Sequence, residues 1–76
     1  MNEVFILVNC DMGYEIQTIV RLKELCDEVQ GTYGMYDFIC KLNYDSMDSF
    51  EQTLQNIRRL ENITHTITIH IIPEQS

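Results

Sequence analysis

The sequence predicts one α+β domain in which four strands and two helices follow in the order βαββαβ. Four short segments carry the apolar runs or two-residue alternation of strands, and two others repeat apolar residues at helical spacing. No linker, internal repeat or low-complexity stretch divides the 76 residues, so we expect residues 1–76 to form a single domain. A core this small is marginal unless oligomerisation adds buried area.

The first strand and the first helix follow from their apolar patterns. Residues 4–9 are largely apolar on both faces, as in a central strand that is covered on both sides. Residues 11–13 break this strand, and a helix is predicted over residues 14–26. The broad apolar face expected for this helix contains Ile16, Ile19, Val20, Leu22 and Leu25.

A hairpin and a second helix form the middle of the chain. Residues 28–33 predict a weak edge strand, and a turn at Gly34 leads into an alternating strand over residues 37–44. Asp45 or Ser46 is suited to cap the second helix. The narrow apolar stripe of that helix consists of Met47, Phe50, Leu54 and Ile57.

The last strand alternates isoleucine with threonine, and Pro73 is expected to end it. We expect its isoleucine face to pack on the helices. The opposite face suits a second sheet or a bound polar molecule, because it carries hydroxyls and an imidazole. The two faces are Ile63, Ile67, Ile69 and Ile71 on one side, and Thr64, Thr66, Thr68 and His70 on the other.

Right-handed crossovers arrange these elements in a ferredoxin-like fold, with a four-stranded antiparallel sheet and both helices on one face. The first strand then contributes one of its two apolar rows to the open face of the sheet. These rows are Val4, Ile6 and Val8, or Phe5 and Leu7. Such a face must be covered, so we expect a homodimer with its sheets face to face, and further assembly through edges and turns.

Charge, cysteine content and hydropathy exclude several classes of protein. The net charge is −7, and no cationic cluster exceeds the pair Arg58 and Arg59, so direct binding to nucleic acid is not expected. We interpret Cys10, Cys26 and Cys40 as reduced packing residues, since they lack Cys-x-x-Cys spacing and lie in or beside apolar stretches. No apolar run is long enough to cross a membrane, and the acidic start lacks a secretory leader, which favours the cytoplasm.

The turn between the second and third strands is the best candidate for a binding site. Gly34 can adopt a positive φ, and Asp37 then lies at the mouth of a strand with a carboxylate suited to an amine. A Gly-x-x-Asp turn is also explained by turn chemistry alone. The residues leave both interpretations open.

Three segments in order carry a resemblance to a known family. They are residues 8–10 with a following acidic residue and Gly13, residues 32–37 (TYGMYD) before an apolar strand, and residues 57–63 leading into 64–68. Together they resemble the effector-binding domain of the Lrp/AsnC family in its stand-alone form, also called the RAM domain. The resemblance covers essentially the whole chain.

The resemblance implies a dimeric α/β barrel, often assembled into octameric or other rings, that binds amino acids between subunits and acts in gene regulation. Full-length members carry an N-terminal helix-turn-helix for DNA. This sequence departs from them, because it begins two residues before its first strand. The implied partners are therefore an amino acid effector, further copies of the chain and a full-length Lrp/AsnC-type regulator, rather than DNA itself.

The resemblance also places the ligand's amino and carboxyl groups around Gly34, Met35, Tyr36 and Asp37. Backbone N–H groups near Gly34 can bind a carboxylate, and Asp37 can pair with an ammonium. Thr66 or Thr68 from a neighbouring strand can complete the hydrogen bonds, although β-propensity alone also explains these threonines.

Catalysis and metal binding find less support. His65 and His70 lie five residues apart on one strand and point to opposite faces, so they cannot chelate one metal within a chain. No Ser/His/Asp grouping, carboxylate pair or phosphate-binding loop is present. We expect no catalytic residue, metal or cofactor. The alternatives to an amino-acid-binding module are a ligand-free interaction domain that pairs with full-length regulators and, less favoured, a cofactor-free enzyme of the dimeric barrel type.

Overall fold

The computed structural model describes residues 2–72, and the expected strand end at Pro73 lies outside them. Its elements follow the predicted order βαββαβ. The bounds are β1 Asn2–Cys10, α1 Glu15–Leu25, β2 Glu28–Gly31, β3 Phe38–Tyr44, α2 Met47–Arg58 and β4 Ile63–His70. The strands form one antiparallel sheet in the order β2-β3-β1-β4, which confirms the ferredoxin-like fold.

Strand β1 is the central element, because it pairs with β3 on one side and with β4 on the other. Its residues Val4, Ile6 and Val8 are fully buried, whereas Phe5 and Leu7 on the other face are only partly buried. Side chains alternate between faces along a strand, so the buried row marks the helix-covered side. The sequence left open which row faces outward, and the structure assigns Phe5 and Leu7.

The core lies between this buried row and the two helices. Helix α1 buries Thr18 and Leu22, but Ile16 and Val20 are 80% and 53% exposed. The predicted apolar face of α1 is therefore too broad. Helix α2 buries Phe50 and Ile57, and the remaining core side chains come from the end of α1 and from β3. Those residues are Cys26, Phe38, Cys40 and Leu42.

The orientation expected for β4 is wrong. Thr66, Thr68 and His70 pair with Val8, Ile6 and Val4 of β1. Directly paired residues in an antiparallel ladder share a face, so the threonines lie on the helix side. His70 accordingly packs edge-on against Phe50, with ring centroids 5.2 Å apart. Ile67, Ile69 and Ile71 lie on the open face. Ile63 does pack against the core, as expected, because the register shifts between Asn9 and Cys10. Both rows of β1 are apolar, so alternation alone did not decide the direction.

Short connections fix the ends of the helices. Ser46 caps α2, as predicted, and accepts a hydrogen bond from the N–H of Ser49, whose own hydroxyl accepts one from the N–H of Ser46. Asn62 has a φ of +72° at the start of β4, a conformation that asparagine tolerates better than most residues. Its carbonyl accepts a 2.8 Å hydrogen bond from the Asp11 N–H, which joins this connection to the end of β1.

Replacing Ser46 by alanine should lower the free energy of unfolding by about 1 kcal/mol, because the N–H of Ser49 loses its acceptor. Denaturant unfolding at fixed protein concentration measures this change. Ser49→Ala is the matched control and should cost less, since the Ser49 N–H keeps its bond to Ser46. Equal losses in the two variants would contradict the assigned cap.

Candidate functional site

The turn between β2 and β3 is closed by its own hydrogen bonds. The N–H of Thr32 donates to the carbonyl of Asp37 at 2.9 Å, and the Thr32 hydroxyl donates to the carbonyl of Tyr36. Gly34 has a φ of +119°, which strains any side chain even though the space around a Cβ is open. The positive φ expected at Gly34 is therefore confirmed, and the turn is a defined loop rather than a simple two-residue hairpin.

Asn9 at the end of β1 holds this turn against the sheet. Its side-chain N–H donates to the carbonyl of Met35, and its side-chain oxygen accepts from the N–H of Asp37, both at 2.9 Å. The same Asp37 N–H also lies 3.1 Å from the carbonyl of Val8. One amide side chain therefore binds two residues of the segment that the sequence nominated for ligand binding.

The carboxylate of Asp37 already has a partner within the chain. Its Oδ2 accepts a 2.9 Å hydrogen bond from the N–H of Cys10. Among residues 2–72, no hydrogen bond or ion pair engages its Oδ1. Asp37 thus has a structural role at the end of β1, and its Oδ1 keeps the capacity to accept a further hydrogen bond.

Apolar and aromatic side chains surround the turn. Tyr33 and Met35 are exposed at its tip. Tyr36 stacks on His65 of β4 with ring centroids 6.2 Å apart, and His65 pairs with Asn9 across β1 and β4. The turn therefore adjoins one end of the open sheet face, with aromatic surfaces that can contact an apolar ligand side chain.

The two threonines predicted for the site lie elsewhere within one chain. Thr66 is on the helix side, where its hydroxyl accepts a 3.3 Å hydrogen bond from Nε of Arg58. The hydroxyl of Thr68 is buried and has no hydrogen-bond partner among residues 2–72. The structure thus brings Gly34, Met35 and Asp37 together but does not join them to Thr66 or Thr68.

Sequence reasoning missed the two residues that connect the turn to the sheet. Asn9 interrupts an apolar strand at its last residues, and this polar position was the available signal. The stacking of His65 on Tyr36 depends on the register between β1 and β4, which no local pattern reveals.

Neither helix of residues 2–72 is long and apolar enough to cross a membrane.

Solved structures share this fold over nearly the whole chain. FFRP-DM1 is 29% identical, with a TM-score of 0.88 over 95% of this chain and 100% of its own. A hypothetical protein of Pyrococcus horikoshii is 31% identical, with a TM-score of 0.81 over 97% and 93%. AsnC of Escherichia coli is 23% identical, with a TM-score of 0.81, and the match covers 96% of this chain but 52% of AsnC.

No family model matches the sequence, and no curated protein matches it. The fold and the closed turn define a small ferredoxin-like domain of the βαββαβ class. Its likeness to FFRP-DM1, and in fold to the matched half of AsnC, supports an Lrp/AsnC-like domain.

Replacing Asn9 by alanine should loosen the turn against β1, because two hydrogen bonds are lost while those that join Asp37 to Val8 and Cys10 remain. We expect a loss of about 1 kcal/mol in the free energy of unfolding, since the Met35 carbonyl is exposed and the Asp37 N–H keeps the Val8 carbonyl as an acceptor. Hydrogen exchange at the Asp37 amide should accelerate more than at core amides. Tyr33→Ala is the control and should change stability by less than about 0.5 kcal/mol. Unchanged exchange at Asp37 in Asn9→Ala would contradict the assigned role.

Proposed function

We propose that the chain is a non-enzymatic regulatory domain that assembles through its open sheet face and binds an amino acid at the turn of residues 34–37. The neighbours of known family support the regulatory class, because they include AsnC and FFRP-DM1. One structural observation carries the assembly: a contiguous apolar surface lies on the side of the sheet that no helix covers.

This apolar face combines side chains from three adjacent strands. Its rows are set by the register, in which Leu7 pairs with Ile39 on β3 and with Ile67 on β4. Ile67, Ile69 and Ile71 remain 40–45% exposed, which is unfavourable in water. The members of the apolar face are Phe5, Leu7, Ile39, Ile67, Ile69 and Ile71. A second copy of the same face covers these residues in the proposed dimer.

A charged group borders the apolar face on the side of β2. The ammonium of Lys41 lies 3.3 Å from a carboxylate oxygen of Glu3 and 3.8 Å from one of Glu28. The hydrogen bond to Glu3 raises the pKa of Lys41. Covering the apolar face therefore does not leave the lysine charge without a partner.

The turn supplies the groups that an amino acid needs. We propose that Asp37 pairs with the ammonium and that backbone N–H groups near Gly34 bind the carboxylate. Met35 and Tyr36 then contact the side chain of the ligand. Thr66 and Thr68 face the helices within one chain, so the proposed site is built without them.

We propose that ligand binding changes assembly, because the turn adjoins the end of the apolar face. Assembly is in turn proposed to modulate transcription through partner regulators. A full-length Lrp/AsnC-type regulator is the proposed partner, because its corresponding domain presents the same fold. We place the domain in the cytoplasm and assign it no cofactor.

A specific observation also favours a ligand-free interaction domain. Asn9 and one oxygen of Asp37 are satisfied inside the chain, so the turn is stable without a ligand. In that case the domain pairs with full-length regulators by mixed assembly, and no amino acid changes its behaviour.

Ile67→Lys should disrupt the proposed dimer, because it places an ammonium within the apolar face beside Leu7. We expect the molar mass, measured by analytical ultracentrifugation, to fall to that of a monomer at concentrations where the wild type is assembled. Ile16→Lys is the matched control: this isoleucine is also exposed, but it lies on α1, and its replacement should leave assembly unchanged. The proposed interface is contradicted if Ile16→Lys dissociates the assembly or if Ile67→Lys does not.

Thermal unfolding against each of the twenty amino acids tests the ligand site at one protein concentration. A ligand at a hundredfold excess over its Kd adds about 2.7 kcal/mol if only the folded state binds. Asp37→Asn should abolish the selective shift, because its amide oxygen still accepts from Cys10 but no negative charge faces the ammonium. Tyr33→Ala serves as the control with intact polar groups.

The outcomes separate the two proposals. A shift that Asp37→Asn removes supports binding at the turn, whereas a shift that Asp37→Asn retains moves the ligand elsewhere. No shift with any amino acid, together with co-purification of a full-length regulator, favours the ligand-free interaction domain.

A further inference from the structure

Two cysteines meet in the core where α1 ends beside β3. Cys26 is the C-cap residue of α1, and Cys40 lies in β3. Both belong to the buried core, with exposures of 9% and 0%. The N–H of Asp27 donates to the carbonyl of Lys41 at 2.9 Å, so the residues that follow the two cysteines are directly hydrogen-bonded. This bond holds the two thiol-bearing segments side by side.

The two thiols have unequal acidity. A hydrogen bond from the Cys40 thiol lowers the pKa of Cys26, against the opposing effect of burial. The same contact, together with burial, raises the pKa of Cys40. Burial also raises the pKa of the third thiol, Cys10. Cys26 is therefore the thiol of the pair that more readily forms a thiolate, which is the reactive form.

Cys26 is the member of the pair nearer to solvent. This residue lines a surface groove along β2, together with Lys23 and Asp27. Cys40 does not line the groove and has no exposed surface. Both cysteines are free, and only Cys26 adjoins the groove.

We propose that Cys26 and Cys40 form a peroxide-sensitive dithiol that closes into a disulfide within the folded chain. The Cys26 thiolate attacks one oxygen of hydrogen peroxide, the O–O bond breaks, and hydroxide leaves to give a sulfenic acid. The sulfur of Cys40 then displaces the hydroxyl group from Cys26, and its proton leaves with that group as water. In total, the two thiols lose two electrons and two protons, and peroxide is reduced to two molecules of water.

The disulfide has a defined consequence for the candidate site. The loop between Cys26 and Cys40 contains all of β2 and the turn of residues 32–37. Oxidation therefore closes a covalent ring around the turn and ties it to the end of α1. The free chain loses conformational freedom in this ring, which favours the folded state.

The test uses Cys10→Ser, which leaves only the proposed pair. The folded variant is treated with hydrogen peroxide, quenched, unfolded and alkylated. We expect a product that takes up no alkylating reagent and has lost two hydrogen atoms in mass. Cleavage after Glu28 should yield two peptides joined by one disulfide, because the cut falls between the two cysteines. The melting temperature should rise by several degrees and return after treatment with dithiothreitol.

Two controls keep the result decisive. Cys40→Ser in the same background should accumulate a sulfenic acid at Cys26, trapped by dimedone, and form no ring; if this variant does not fold, the Cys10→Ser result decides alone. Full alkylation of both thiols after peroxide treatment of folded Cys10→Ser overturns the proposal. So does wild-type protein in which Cys10 is bridged to Cys26 or Cys40, since Cys10 is then the reactive partner.

Discussion

The double pairing of β1 is the constraint on which the rest of the structure depends. Its alternate residues Val4, Ile6 and Val8 are completely buried, so they fix which side of the sheet the helices cover. The registers with β3 and β4 then fix the face on which each remaining row of side chains lies. Because side chains repeat every two residues, a shift of one position on either side exchanges buried and open rows. The core and the apolar face are thus consequences of one strand.

The order of elements was predictable because periodicity is a local property. The runs at residues 4–9 and 37–44 and the helical repeat ending at Ile57 were sufficient for the ferredoxin-like fold. The direction of β4 was not predictable, since its isoleucine and threonine faces are both compatible with burial and only pairing with Ile6 decides. The over-broad face of α1 has a similar cause: Ile16 is apolar, but a two-layer domain this small leaves its outer surface uncovered.

The candidate turn was predictable in position but not in its connections. Gly34 and Asp37 have local signatures of a turn, whereas the bonds from Asn9 and the N–H of Cys10 join residues distant in sequence. These contacts give Asp37 a structural role, because they join the turn to the end of β1. They also place the turn next to His65 at the end of the apolar face. In the proposed dimer, a ligand that contacts both regions changes the equilibrium between assembled and separate chains.

The composition of β4 leaves its free edge open to pairing with another chain. β4 is an edge strand, so one of its backbone rows has no partner within residues 2–72. Ile63–His70 contains no lysine, arginine, acidic residue or proline, the devices that usually discourage edge-to-edge pairing. Threonine and isoleucine in alternation instead favour extended β structure. The free edge of β4 is therefore a template on which the backbone of another extended chain can pair.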